Sequence, residues 1–493
     1  MALFRSERGI GRGEVAESRL EAPVFAGFML LCGIALAAQH LYLSNQQITL
    51  ALSISLLVFG VTVARVEYGV YVLIVAMLLS PEIDAGTALS GERNLNIRYD
   101  DILIIVIFLG VMVKLSFEGR LSLWQPSPIN KGIVVYYAVC ILSTLLAYQR
   151  GLGAWDSRSA FFIMLKMLEF YLLFFLAGHA TRDLGDVRKI LVLLFGVALI
   201  VSIYGIYSIG TTPRVSAPLE TGGTEPNTLG GYMVIIICLC VALWTQAPRM
   251  WIKLCLIMVG GLTFVPFLYT LSRASYLALA VGVATIALVS RNFLIGATMV
   301  LVLLLSPTVM PKQVKERVAY TIQKESGYQV ANTGIAVDKS TAERFQVWRK
   351  VRYILSRGPV LALLGGGVSW ESVLDSQYAR VILETGILGL LAFLFLQFSI
   401  LRTTRNAYRW TDDWLGRGIA MGTFATTLAL MAHSVGTISF LIVRIMEPYW
   451  LLVALSVNIR NVALAQHWAR ARAAQSLENE DTPPAATEAA PVG

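Results

Sequence analysis

The chain has 493 residues, of which 56% are hydrophobic and only 14% are charged, with a mean hydropathy of +0.67. Soluble domains carry about 25% charged residues, and a soluble chain of this length would need charge to coat several separate cores. Soluble and fibrous classes are therefore excluded, and the apolar residues come in runs of about 18–23, the length that crosses a ~30 Å hydrocarbon layer.

The net charge of +9, from 40 Lys and Arg against 31 Asp and Glu, is read as the excess of basic residues that fixes cytoplasmic loops. It is not read as a nucleic-acid footprint. The five cysteines, Cys32, Cys140, Cys238, Cys240 and Cys255, all lie inside apolar runs. None forms a CxxC pair or a zinc spacing, so they read as small buried residues.

In chain order, a basic N-terminus (residues 1–22, with Arg5, Arg8, Arg12 and Arg19) precedes a run from Pro23 to Leu43. That run is too long for a signal-peptide core and lacks a clear small-residue cleavage site, so it reads as the first span. Spans follow near 47–64, 67–80, 100–116, 131–149, 160–179, 189–209, 226–245, 251–271, 274–290, 292–309, 379–401, 418–436 and 442–458. The expected fold is all-α and polytopic, with about 12–14 spans. With the N-terminus inside, the cytoplasmic connections hold Arg182, Arg188 and Lys189; Arg249 and Lys253; and Arg402, Arg405, Arg409 and Arg417. The segment from 459, with Arg460, Arg470 and Arg472, then also lies inside. From about 474 it is rich in Ala, Pro, Glu and Thr and is expected to be disordered.

The connection at 310–378 falls outside the cell in this topology and is long enough to be functional. Within STAERFQVWRKVRYIL, Phe345, Trp348, Val351 and Leu355 share one helical face, with Ser340 or Thr341 as a cap. Gly365, Gly366 and Gly367 read as a flexible return to the next span. The loop is basic, holding among others Lys312, Lys315, Arg317, Arg344, Arg349 and Arg357. Such a cluster suits phospholipid head groups or a lipid-linked phosphate.

Polar residues gather at the outer ends of the spans. After the seventh come Arg214, Glu220, Glu225 and Asn227, and Arg273 stands at the start of the tenth. An arginine there is costly unless it is paired, binds an anion or snorkels to the interface. Asp375 and Tyr378 precede the twelfth span, and Glu384 lies in its first turns. Guanidinium forks suit phosphate oxygens, and a carboxylate can take a proton from an attacking hydroxyl; a plain helix cap is the other reading of the carboxylate. His433 reads more simply as a hydrogen-bonded core residue than as a base, and Arg444 with Glu447 as an intramembrane ion pair. The sequence has no Walker loop, Rossmann fingerprint, HExxH or GxSxG.

Four of these segments in order carry a resemblance. Arg214 is followed by EPNTLGGY; Ser272-Arg273-Ala274 opens a span; Arg344, Trp348, Pro359 and Gly365–Gly367 punctuate the loop; and DSQYARVILETGILGLL closes the set. Over roughly residues 200–400 the chain resembles the O-antigen ligase and Wzy-type polysaccharide polymerase superfamily of bacterial envelopes. Ligases of that superfamily have His-Asn at the start of the closing motif. Aligned back from Glu384 and Tyr378, those positions are Asp375 and Ser376, which is more similar to the polymerase branch.

The resemblance implies a GT-C-like helical membrane enzyme of the bacterial inner membrane, its active site facing the periplasm. The implied activity is inverting, metal-independent polymerisation of repeat units carried on undecaprenyl pyrophosphate, with no cofactor. Arg214 and Arg273 are the expected phosphate clamps and Asp375 the expected base. Arg344, Glu225, Asn227, Trp348 and Tyr378 are expected to bind substrate. The implied partners are the lipid-linked glycan, membrane lipids and a chain-length regulator, with no nucleic acid. A ligase that moves finished polymer to lipid A core or protein, and a flippase of lipid-linked sugars, are the alternatives.

Overall fold

The computed structural model describes residues 46–83, 97–119, 125–151, 157–181, 183–219, 225–292, 296, 328–329, 336–337, 339–370 and 375–480. The fold is all-α and polytopic. The first nine described helices are α1 (Gln46–Ala64), α2 (Val66–Leu79), α3 (Tyr99–Phe117), α4 (Ile129–Gln149), α5 (Ser157–Ala180), α6 (Leu184–Tyr207), α7 (Pro226–Gln246), α8 (Met250–Tyr269) and α9 (Arg273–Ser290). After the long connection come α10 (Lys339–Leu355), α11 (Pro359–Leu364), α12 (Gln377–Trp410), α13 (Trp414–His433), a 3-10 turn (Ser439–Leu441) and α14 (Val443–Glu480). Two antiparallel ladders of two residues each, Glu82–Ile83 with Ile97–Arg98 and Tyr328–Gln329 with Ala336–Val337, are the extended pairings among the described residues.

Nine of the described helices, α4–α9 and α12–α14, are long and apolar enough to cross a membrane. The spans expected at 47–64 through 274–290 and at 379–458 coincide with helices. The expected span 23–43, most of 292–309, Glu220 and the loop basics Lys312–Lys324 lie outside the described residues.

Short polar punctuation sets the helix starts. Asp183 caps α6 by accepting from Asp186 N at 2.9 Å, and Asp413 caps α13 by accepting from Leu415 N and Gly416 N at 2.9 and 3.0 Å. Pro226 opens α7, where its missing N–H costs nothing. The most buried spans are α7, α13 and α14, which pack against one another, while α8 and α9 present much of their surface outward. The described connections gather in two groups. Thr181, Asp183, Thr411, Asp413, Asn458 and Arg470 line one cavity in the first group. The turns at 208–219, 269–273 and 434–442 form the second.

Three expectations change. The tail does not lose structure at 474, because α14 continues to Glu480 through residues of good helix propensity. On α10 the expected face is met by Val351 and Leu355, which pack with Val347 and Ile354 on Ala379, Ile382 and Leu383 of α12. Phe345 and Trp348 are 48% and 44% exposed. The helix also begins at Lys339, so Ser340 and Thr341 fall inside it rather than at its cap.

The third change is at the glycines. Gly366 N donates to Leu383 O and Gly367 N to Glu384 O, at 2.9 and 2.8 Å. Residues 365–367 are thus a strap bound to α12, not a loose return. At the crossing, α12 breaks at Gly386, whose φ is +70°. A Cβ on Gly386 would come within 2.2 Å of Leu363 O, and one on Gly365 (φ +68°) within 2.5 Å of the Glu384 carbonyl. The two backbones touch because neither residue has a side chain. Glu384 is committed here: its Oε1 accepts from Arg380 Nε at 2.8 Å and from Ser369 N at 3.0 Å, and Ser143 Oγ donates to its carbonyl at 2.6 Å.

Candidate functional site

The site is assembled around the turn between α8 and α9. Ser272 caps α9, its Oγ accepting from Ser275 N at 3.3 Å and from Ser275 Oγ at 2.7 Å. Arg214 reaches this turn from the segment after α6, donating through Nε to Thr270 O at 3.0 Å and through a terminal nitrogen to Leu271 O at 3.3 Å. Val215 N also donates to Tyr269 O at 3.1 Å, which pins the two segments together. Arg273 follows directly as the first residue of α9.

Arg344 arrives from α10. One of its terminal nitrogens donates to Gly436 O at 3.2 Å. The Cβ position of Gly436 lies 3.2 Å from the same nitrogen and 3.4 Å from Ala274 Cβ. Arg344 therefore stands over the 434–437 turn, against the residue next to Arg273. The structure brings Arg214, Arg273 and Arg344 to adjoining turns, from segments more than fifty residues apart in sequence.

Beneath them runs a buried polar chain. Ser275 Oγ is 3.0 Å from His433 Nε2, and His433 Nδ1 is 2.8 Å from Ser439 Oγ. Ser275, His433 and Ser439 are all fully buried. With both ring nitrogens engaged and no exposed surface, His433 ties α9, α13 and the 3-10 turn together and is closed to a substrate. Gly230 and Gly231 of α7 make room for it. A Cβ on Gly230 would meet Ser275 Oγ at 2.3 Å, and one on Gly231 would meet Ile445 at 2.4 Å and the His433 ring at 3.2 Å.

Asp375 is exposed at the start of α12, and the two residues after it are fixed to the same turn. Gln377 N donates to Ser434 O and Thr437 O at 3.0 and 3.2 Å, and Tyr378 donates its hydroxyl to Met431 O at 2.8 Å. Ser376 Oγ, Gln377 Oε1 and Ser434 Oγ are buried around this junction without a hydrogen-bond partner among the described residues. Buried polar atoms cost about 1–3 kcal/mol each when unmatched, so this junction favours a buried water.

Two leucines here hold left-handed backbone, Leu219 at φ +60° and Leu271 at φ +50°. Each turns its carbonyl to an arginine: Leu271 to Arg214, and Leu219 to Arg444 at 3.5 Å. Such backbone strain costs on the order of 1–3 kcal/mol and concentrates at functional sites. Arg444 is the arginine that sequence reasoning assigned elsewhere. It does not pair with Glu447 but faces the Arg214 segment.

The remaining expected residues lie at the margin. Glu225 precedes α7 and accepts from Thr228 Oγ1 at 2.9 Å, and Asn227 is half-buried in the first turn. Trp348 sits on α10 beyond the buried face. Among the described residues no cluster of His, Cys, Asp and Glu is arranged to hold a metal ion.

No family model matches the chain, and no curated protein matches it. The fold and its apolar helices define a multi-pass helical membrane protein.

Proposed function

We propose that this protein is an inner-membrane glycosyltransferase of GT-C-like architecture that polymerises lipid-pyrophosphate-linked oligosaccharide repeat units at the outer face of the membrane. The observation that carries the reading is the placement of Arg214 on the Thr270 and Leu271 carbonyls, Arg273 at the start of α9 and Arg344 over the adjoining 434–437 turn. The excess of basic residues in the connections at the opposite end supports the orientation.

In this reading a hydroxyl of the acceptor sugar attacks the anomeric carbon of the donor glycan. The new C–O bond forms as the bond to the lipid pyrophosphate breaks, with inversion, and the hydroxyl proton passes to Asp375. Pyrophosphate is already a good leaving group. The protein's work is to hold the reactants in line and to stabilise the growing phosphate charge with guanidinium donors. Tyr378, Glu225, Asn227 and Trp348 are the further side chains assigned to the substrate. The same arginines would serve a ligase that moves finished polymer to lipid A core or protein.

The test is the envelope glycan profile of a strain lacking the protein, complemented with wild type or Arg273→Ala. Single repeat units accumulating without polymer, and no rescue by an inserted Arg273→Ala protein, are expected. Polymer left on its lipid carrier would point to the ligase. Repeat units trapped at the cytoplasmic leaflet would make the protein a flippase.

A further inference from the structure

A groove of about 720 Å³ opens beside the start of α4, away from the arginine turns. Contacts along α4 fix that placement. Gln377, which opens α12, is held on the 434–437 turn of the candidate site. Ser143, late in α4, donates to Glu384 O at 2.6 Å, early in α12. Gly132, in the first turn of α4, lies against Leu396, where an added Cβ would come within 3.0 Å of the Leu396 Cα. The start of α4 therefore lies well along α12 from the site.

A chain of contacts through α5 joins the start of α4 to α14. Asn130 Nδ2 donates to Gln125 O at 2.7 Å, and Gln125 Oε1 lies 2.9 Å from the Cβ position of Gly178. Asn458 Nδ2 of α14 donates to Gly178 O at 2.7 Å. Two residues further on, Arg460 lines the groove together with Lys131 of α4. Lys131 is exposed, and Arg460 is half-buried with Nη1 donating to the Asn461 amide oxygen at 3.1 Å. The rest of the wall is apolar: Val134, Val135 and Phe395 line the same groove and are 52%, 43% and 45% exposed.

Lys131 opens the apolar run of α4 and Arg460 follows that of α14, so both stand at a span boundary. The charged side chains described in the lining are thus two cations, set beside exposed hydrocarbon. A guanidinium and an ammonium suit phosphate oxygens, and basic pockets between membrane helices bind anionic head groups. A soluble anion would meet the cations and leave the apolar wall uncovered; an uncharged lipid would do the reverse. We propose that this groove binds one anionic phospholipid, with its phosphate on Lys131 and Arg460 and an acyl chain along Val134, Val135 and Phe395. Phosphatidylglycerol has that chemistry. The proposal stands apart from the glycosyl-transfer reading.

The test is native mass spectrometry of the purified full-length protein, titrated with dioleoylphosphatidylglycerol or dioleoylphosphatidylcholine. Wild type is expected to bind one phosphatidylglycerol in preference to phosphatidylcholine. Lys131→Gln combined with Arg460→Gln is expected to weaken that binding about thirtyfold, the worth of two basic residues beside an anionic lipid. Arg409→Gln, exposed on α12 and outside the groove, is expected to leave it unchanged. Unchanged binding in the double variant, or an equal loss in Arg409→Gln, would overturn the proposal. Equal binding of the two lipids by wild type would also overturn it, since the groove would then hold only bulk bilayer lipid. A photoactivatable phosphatidylglycerol is expected to label wild type within 131–135 and at Phe395. Labelling confined to other segments sinks the idea even where the double variant does not fold.

Discussion

Asp375 and His433 are the two side chains that a general-base role could fall on, and their surroundings separate them. Asp375 is exposed just before α12; His433 is sealed between two serines. Asp375→Asn keeps the shape and removes the proton acceptor. Polymerisation measured with purified protein and lipid-linked repeat units is expected to fall by about 10²–10⁴-fold, the usual worth of a positioned base. Full activity would move the base elsewhere. His433→Ala strands Ser275 and Ser439 in the interior and should cost about 2–4 kcal/mol in hydrogen bonds and packing. It is expected to lower the thermal unfolding midpoint in detergent, while a variant that unfolds like wild type would remove His433 from the frame. The arginines were legible in the sequence because charge at a span boundary is expensive and so draws notice. Ser275, Ser439 and Arg444 were not, since nothing in a lone serine or an i, i+3 pair says which neighbour it will meet.

At the scale of elements, the sequence located helices well and faced them less well. The start of α7 could be read from Glu-Pro-Asn and that of α9 from Ser-Arg, because capping is local chemistry. The buried face of α10 could be read only in part, through Val351 and Leu355, because Phe345 and Trp348 satisfy the helical period as well as Val347 and Ile354 do. The choice was made by which residues met Ala379 and Leu383 of α12. The glycines at 365–367 were visible, yet their role depends on Gly386, twenty residues on, offering its bare backbone in return. Gly386→Ala should therefore be severe. The residue needs a positive φ, and the added methyl meets Leu363 O, so a loss of about 2–4 kcal/mol is expected. Protease cutting within 359–370 of the membrane-embedded protein should rise sharply in this variant. Unchanged protection would show that the strap does not depend on the crossing.

For the whole molecule, the arginine turn belongs to one group of connections and the 181–183 and 411–413 turns to another. With the basic connections in the cytoplasm, Asp375→Cys should react with a membrane-impermeant thiol reagent in intact cells, and Arg249→Cys only after permeabilisation. The reverse pattern would turn the molecule over and take the candidate site away from the periplasm. The sequence by itself determined that this is a polytopic helical protein, where nearly every described span lies, and which span ends are polar. Those properties follow from the length and apolarity of single segments and from local capping, each read within about twenty residues. Only the tertiary structure decided that Arg214, Arg273 and Arg344 come to adjoining turns and that His433 is a buried tie. Those are outcomes of helix packing, in which residues hundreds of positions apart become neighbours through close fit that no local pattern encodes.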